Sequence, residues 1–221
     1  MLRTIYQALM QFFFPSHCPS CHAYTPNLGQ WCPQCLNDII RCENLAYEAD
    51  IRKYISPIIV IGKYDKGLKD LIHELKYHKQ FASLAYFPPL FNQLDQEWDF
   101  SKYDMIIPVP LHQNKLKQRG FNQVEKIFTP WIKQHHFNYC DILERIKATK
   151  SQYQLNRQER QLNLTNAFIL KKGVNVKNCK CLLIDDIFTT GSTLKNCAKA
   201  LRQQGATTVS GLVLASQANI T

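Results

Sequence analysis

Cys181-Leu182-Leu183-Ile184-Asp185-Asp186-Ile187-Phe188-Thr189-Thr190-Gly191-Ser192-Thr193-Leu194 opens as an apolar run, turns polar at two adjacent carboxylates, and passes through Thr-Thr-Gly-Ser-Thr into helical spacing. Such a run reads as a buried parallel strand. The polar turn then lies at a strand's C-terminal end, where open α/β sheets bind ligands. Backbone N–H groups from about Thr189 to Thr193, the hydroxyls of Thr189, Thr190, Ser192 and Thr193, and the positive end of the following helix make a seat for one phosphate. Gly191 has no Cβ, so phosphate oxygens can come close. The loop holds no Lys or Arg, which suits a single phosphate better than a pyrophosphate. Asp185 and Asp186 would repel phosphate, yet they accept well from two neighbouring hydroxyls, as on a ribose beside its own 5′-phosphate. The competing reading is a strand followed by ordinary helix-capping residues. A cap needs one such residue and this stretch has six.

Two other nucleotide motifs are excluded by inspection. No Gly-x-Gly occurs among the eight glycines, and Gly62-Lys63-Tyr64 lacks both the upstream glycine and the Ser/Thr of a P-loop.

Working outward, Met105-Ile106-Ile107-Pro108-Val109-Pro110-Leu111 reads as a second short strand with a stiffened exit, and Pro57 to Tyr64 as the first strand of the main domain. The exit of Met105–Leu111 leads into a basic loop with His112, Lys115, Lys117 and Arg119-Gly120, then a helix to about His135 interrupted near Pro130. Basic groups spread at such an exit suit a departing diphosphate; a plain basic loop is the alternative. Leu68, Leu71, Ile72 and Leu75 follow helical spacing, closed by Lys76-Tyr77-His78-Lys79, where Lys76 reads as a dipole-stabilising cation before it reads as a ligand contact. Phe81 to Leu94 reads as helix broken or kinked at Pro88-Pro89. Leu194, Cys197, Ala198 and Leu201 give a helix ending at Gly205, and Val209 to Leu214 a last strand. Lys147 to Arg160 is polar with few apolar anchors and reads as a lid; its Lys147, Lys150, Arg157 and Arg160 are candidates to grip phosphate or a nucleic-acid backbone.

At 221 residues and 45% hydrophobic composition the chain can bury one α/β core plus a small appendage. Residues 1–100 hold 9 Lys and Arg against 10 Asp and Glu, net −1, whereas residues 101–221 hold 18 against 7, net +11. The basic surplus travels with the phosphate loop, which fits a polyanionic ligand, nucleic acid or both, with a basic surface kept for solubility as the bland alternative.

The appendage is marked by Cys18-Pro-Ser-Cys21 and, ten residues on, Cys32-Pro-Gln-Cys35. Two such knuckles present four thiolates tetrahedrally to Zn²⁺, a structural site; a redox Cys-x-x-Cys usually occurs once, in a thioredoxin-like pattern. His17, His22 and Cys42 read as neighbours of that site, and Cys140, Cys179, Cys181 and Cys197 as small apolar residues. Nine cysteines without a recognisable signal peptide point to reduced thiols and a cytoplasmic location. Met1 to Phe14 reads as a short amphipathic helix. Packing on the protein is the favoured role for it, with peripheral contact at the inner membrane as the alternative. No apolar run reaches the length of a membrane span.

Leu182 to Leu194 resembles the phosphoribosyl diphosphate (PRPP) signature of type I phosphoribosyltransferases. Pro108-Val109-Pro110-Leu111, Arg119-Gly120-Phe121-Asn122-Gln123, Lys147-Ala148-Thr149-Lys150-Ser151-Gln152, Arg157, Arg160, Asn163-Leu164 and Asn166-Ala167-Phe168 are, in that order and behind the cysteine ribbon, similar to the competence protein F (ComF) family. The resemblance implies a doubly wound, mainly parallel α/β domain of phosphoribosyltransferase type behind a small four-cysteine zinc ribbon. It implies that Asp185 and Asp186 hold the ribose hydroxyls, that Thr189, Thr190, Gly191, Ser192 and Thr193 wrap the 5′-phosphate, and that Lys115 and Arg119 meet the diphosphate, with Mg²⁺ accompanying PRPP. It also implies work on incoming single-stranded DNA in natural transformation, alongside other DNA-uptake proteins. An active phosphoribosyltransferase moving ribose 5-phosphate to a base or amine is the alternative. Some relatives carry a further Cys pair where Cys42 stands alone here, so a second zinc site is not expected. The expected segments are an N-terminal helix at 1–14, a zinc ribbon at 15–53 and the phosphoribosyltransferase-like domain at 54–221.

Overall fold

The computed structural model describes residues 15–146 and 167–217. The N-terminal helix expected at 1–14 lies outside them, as do Lys147, Lys150, Arg157 and Arg160 of the expected lid. Five strands form the central sheet: β3 (Ile40–Asn44), β4 (Ile58–Lys63), β5 (Met105–Pro108), β8 (Lys180–Phe188) and β9 (Thr208–Ser216), in the spatial order β3-β4-β9-β8-β5. The last four run parallel; β3 pairs antiparallel with β4 at one edge. Among the described residues, two short antiparallel pairs stand apart, β1 (Ser16–His17) with β2 (Tyr24–Thr25) in the ribbon, and β6 (Leu143–Arg145) with β7 (Phe168–Leu170).

Among the described residues, two helices precede the main domain, α1 (Pro33–Ile39) and the single turn α2 (Ala49–Arg52). Strand alternation explains why helices cover both faces of the sheet. Ile59, Ile61, Ile106, Leu182 and Ile184 pack into one core with α3 (Lys66–His73), α4 (Pro88–Glu97) and α6 (Gln123–Gln134), through Leu68, Leu71, Leu90, Leu94, Phe128 and Trp131. Their strand neighbours Ile58, Val60, Ile107, Cys181 and Leu183 face the other way. They meet Leu194, Cys197, Ala198 and Leu201 of α7 (Ser192–Gln203), together with Leu143 and Phe168 of the second antiparallel pair. The sheet is therefore doubly wound and mainly parallel, the fold class the motif implied.

Several boundaries depart from expectation. Asp185 and Asp186 do not follow β8 but lie inside it, with Asp185 registered against Val213 and Ile187 against Ala215. The expected basic loop at 112–119 is a helix, α5 (Gln113–Arg119). His112 caps it by accepting from the Asn114 N–H at 3.2 Å, and Gly120 ends it in the left-handed conformation at φ 88°. α6 runs through Pro130 without interruption. Pro88-Pro89 starts α4 instead of breaking a helix, because a proline at the first helical turn gives up an N–H that has no partner there. Before it stand a π-helical turn (Glu74–His78) and a 3₁₀ segment (Phe81–Tyr86).

The ribbon segment is bonded to the main domain on several sides. Helix α1 leads straight into β3, so residues 40–44 of the 15–53 segment complete the central sheet. Trp31 is buried and donates from Nε1 to Tyr86 O at 2.8 Å, and Trp98 donates to Cys42 O at 2.7 Å. A Cβ at Gly67 would come within 2.6 Å of the Pro19 backbone, and one at Gly29 within 2.3 Å of Ala85 O, so glycine is what permits both approaches. Cys42 is itself buried, with its thiol donating to Ile61 O at 3.9 Å. Burial, with Glu97 and Asp95 nearby, pushes that thiol up to about 12, which suits a structural cysteine and not a metal ligand.

Candidate functional site

A cleft of about 310 Å³ opens at the C-terminal ends of β5 and β8. Of the residues expected there, Asp185, Asp186, Thr189, Thr193, Lys115 and Arg119 line it; Lys76, Tyr77, Gln123 and Arg145 line it as well. Thr190, Gly191 and Ser192 form the turn just behind. Gly191 is left-handed at φ 69°, and a Cβ there would fall 2.6 Å from Ile51 and 2.9 Å from the Phe188 ring. Glycine is thus required twice over. It is also the N-cap of α7 and offers no side-chain cap, while Thr190 Oγ1 donates to Ser192 Oγ at 3.0 Å. Apart from the Ser192 N–H, which donates to Thr190 Oγ1 at 3.5 Å, the first amides of α7 keep their capacity to meet an anion.

The two acids serve different faces of β8, as adjacent strand residues must. Asp186 points to the α6 side. Its Oδ2 receives Lys76 Nζ at 2.6 Å and Gln123 Nε2 at 2.7 Å, and Arg119 in turn donates to Gln123 Oε1. Asn122 makes this possible: it caps α6 by accepting from Val124 N at 3.1 Å and donates to Val109 O at 3.1 Å, which fixes Gln123 beside the strand exit. Asp185 lies on the side of Arg145 and Cys197 and is buried but for its edge on the cleft, accepting from the Asp186 N–H at 2.8 Å. Of the two carboxylates expected to hold a diol, Asp186 is held in an ion pair and Asp185 faces the opposite side of the strand, with both lining the cleft.

Burial, reinforced by the neighbouring Asp186 carboxylate, pushes Asp185 up to about 8. A raised carboxyl favours its neutral form in the folded state, so its contribution is complete below pH ~4 and is lost as pH rises through about 8. Asp185→Asn keeps the oxygen acceptor and removes the titration. The stability difference between wild type and Asp185→Asn, read by urea unfolding, is expected to shift in the variant's favour by up to about 1.4 kcal/mol per pH unit across that window. A difference independent of pH would show that Asp185 is ionised throughout.

Four cations face the two acids. Lys115 loses hydration at the cleft wall and sits near Arg145, Arg119 and Lys76, which together lower its pKa. Arg119 and Arg145 are lowered by burial in the same way. Arg119 lies over the Tyr77 ring at 6.0 Å and Arg145 over Phe168 at 5.4 Å. Crowded, partly desolvated cations gain most from an anion that enters among them. Sequence reasoning gave Lys76 only a weak ligand role and assigned no site role to Arg145 or Gln123. Lys76 is 110 positions from Asp186, and no local pattern at 76 signals that approach.

The four ribbon cysteines converge as expected. The sulfurs of Cys18, Cys21, Cys32 and Cys35 all lie within 4.8 Å of one another, with Cys21 and Cys32 at 3.7 Å. Tetrahedral zinc with sulfurs at about 2.3 Å needs sulfur pairs about 3.8 Å apart, so the donor set fits one such ion. Burial would raise Cys18, but the backbone N–H groups of Cys21, Cys32 and Ser20 outweigh it and hold the thiol down at about 6, ready to ligate as thiolate. His17, His22 and Cys42 are not among the clustered ligands. Among the described residues, no helix is long and apolar enough to cross a membrane.

No protein-family model matches the chain. Among solved structures, glutamine PRPP amidotransferase from B. subtilis is similar at 18% identity and TM-score 0.35, over 53% of this chain and 23% of that one. A hypoxanthine phosphoribosyltransferase from Staphylococcus aureus is similar at 16% and 0.30, over 84% and 74%. These scores are low, and the fold rests on the strand order and register above. Competence protein F of Haemophilus influenzae is 29% identical over 202 residues, 87% of this chain and 80% of its own. Competence protein ComFC of Streptococcus pneumoniae is 29% identical over 192 residues, 86% and 82%. DNA utilization protein YhgH of Shigella flexneri is 32% identical over 157 residues, 69% and 68%. With 32% identity over more than two thirds of both chains in one relative and 29% over four fifths or more in two others, the chain belongs to the competence protein F (ComF) family.

Proposed function

We propose that this protein is a ComF-type competence factor that binds PRPP, or a related ribose 5-phosphate, and acts on single-stranded DNA during uptake. The observation that carries the reading is the cleft itself. Lys76, Lys115, Arg119 and Arg145 surround Asp185 and Asp186 in front of the N-terminal end of α7. The helix end and the Thr189–Thr193 turn seat the 5′-phosphate, and Lys115 and Arg119 meet the second anionic group. The names of the relatives, competence and DNA utilization proteins, support the DNA half. The zinc ribbon is structural in this reading, since its four thiols leave no open position.

Magnesium enters with the ligand. Asp186 Oδ2 is already engaged by Lys76 and Gln123, and Asp185 is held largely neutral, so the pair alone is a poor site for a hydrated dication. Phosphate oxygens supply the missing ligands, and the ion offsets charge on the diphosphate. The location follows the same reading: a cytoplasmic protein that meets DNA after it has crossed the inner membrane.

Calorimetric titration tests this. PRPP with Mg²⁺ is expected to bind, Mg²⁺ alone to give no signal, and Arg119→Ala to weaken PRPP about 10- to 100-fold because one charge-assisted contact is lost and Gln123 is released. The double variant Asp185→Asn/Asp186→Asn is expected to lose most of the affinity. Unchanged binding in that variant would remove the ribose reading. Release of diphosphate on adding a base would favour the transferase alternative.

A further inference from the structure

Beside the cleft, the chain alternates cations and rings along Lys76-Tyr77-His78-Lys79-Gln80-Phe81, at the π-helical turn and the start of the 3₁₀ segment. Tyr77 is 66% exposed and Phe81 49%, unusually open for large rings in a protein with well-filled cores. They are not scattered. His73 stacks obliquely on Tyr77 at 4.6 Å, Arg119 lies over the same Tyr77 ring at 6.0 Å, and Phe81 meets Phe121 at 5.1 Å. Gly120 joins Arg119 to Phe121, so one continuous ridge runs from Tyr77 to Phe81 along the rim of the cation-lined cleft. Lys79 and Lys117 stand exposed on the two segments that form it.

Exposed rings spaced along a cationic ridge are what single-stranded nucleic acid requires: a π-face for successive bases, with charge for the backbone between them. A duplex hides its base faces, and a protein partner anchored on these rings would also need an acidic surface for the lysines, whereas a single strand supplies π-faces and phosphates along one chain. We infer that this ridge is the single-stranded DNA face, with Tyr77 and Phe81 as its stacking platforms and Lys79 and Lys117 on the phosphates. The inference rests on the DNA half of the proposed function and adds where the strand lies. Because Tyr77 belongs to both the ridge and the cleft wall, a strand on the ridge ends at the mouth of the ribose-phosphate site.

The test is fluorescence anisotropy with labelled oligo(dT), repeated from low to moderate salt, on the full chain. Phe81→Ala and Tyr77→Leu are each expected to weaken binding about tenfold or more, with the slope of log K against log salt unchanged, because stacking releases no counterions. Lys79→Ala/Lys117→Ala is expected to flatten that slope by about 1.4, two phosphate contacts on a single strand. Phe81→Trp retains a stacking face and should restore affinity, which separates stacking from any loss of packing against Phe121. It should also show tryptophan quenching on binding. PRPP calorimetry on Phe81→Ala runs in parallel and is expected to match wild type. If oligo(dT) binds equally to wild type, Phe81→Ala and Tyr77→Leu, the strand lies elsewhere and the ridge is overturned while DNA binding stands. If wild type binds PRPP but no oligo(dT), the ridge and the DNA half fail together and the phosphate half stands. Equal affinity for duplex of the same length would also contradict a stacking platform.

Discussion

Stripping the metal, or replacing Cys21 and Cys32 with serine, is expected to unfold the ribbon and carry part of the main domain with it. Metal binding by zinc-finger peptides supplies on the order of 10–16 kcal/mol, comparable to the whole stability of a typical domain. Residues 15–35 have little core of their own, with two-residue strands and a short helix, so apart from their bonds to the main domain the metal is what fixes their conformation. The damage spreads because Trp31 is part of the main core and β3 follows directly from the ribbon helix as an edge strand of the central sheet. Far-ultraviolet dichroism and heat unfolding with and without a strong chelator would check this. We expect one stoichiometric zinc, a melting temperature lowered by well over ~10 °C on its removal, and loss of the Trp31 emission of a buried indole. A chelated protein that melts like the loaded one would show that the thiols alone hold the ribbon.

The second large effect is expected at Lys76. Its side chain and that of Asp186 are 14% and 8% exposed, so the pair is nearly buried. Removing one member of a buried pair costs about 3–5 kcal/mol because the other charge is left without compensation. Lys76→Met should therefore destabilise the protein by about 3 kcal/mol in urea unfolding. Lys76→Met/Asp186→Asn should recover much of the loss, since Asn leaves no charge and still meets Gln123. Two losses that add would mean that Lys76 stabilises the fold by packing alone.

Which parts of this were legible in the sequence follows from how local each signal is. The 181–194 motif, the ribbon cysteines and the strands at 58–63, 105–108 and 208–216 announce themselves through neighbours in the chain, by run, spacing and caps. The α5 helix at 113–119 was hidden because its charged residues read as a loop, and only the caps at His112 and Gly120 betray it. β3 was hidden because Ile40-Arg41-Cys42-Glu43-Asn44 is short, largely polar and follows a helix without a turn, as an edge strand with an irregular register is free to do. Within the site, Asp185, Asp186 and the phosphate turn came from one contiguous stretch. Lys76 and Arg145 came from two other elements, and only the closing of the sheet brings them to the acids. The division of labour between Asp185 and Asp186 also escaped. Adjacent carboxylates read as one claw when placed in a loop, but as two opposed groups once they belong to a strand.

The central claim is that a sugar phosphate is seated where β8 gives way to α7. Crystals of the protein soaked with ribose 5-phosphate test it most directly. The account predicts difference density for a phosphate against the amides of Thr190 to Thr193, with the sugar turned toward Asp185 and Asp186. Density for that phosphate anywhere else on the protein, with the turn empty at saturating concentration, would contradict it.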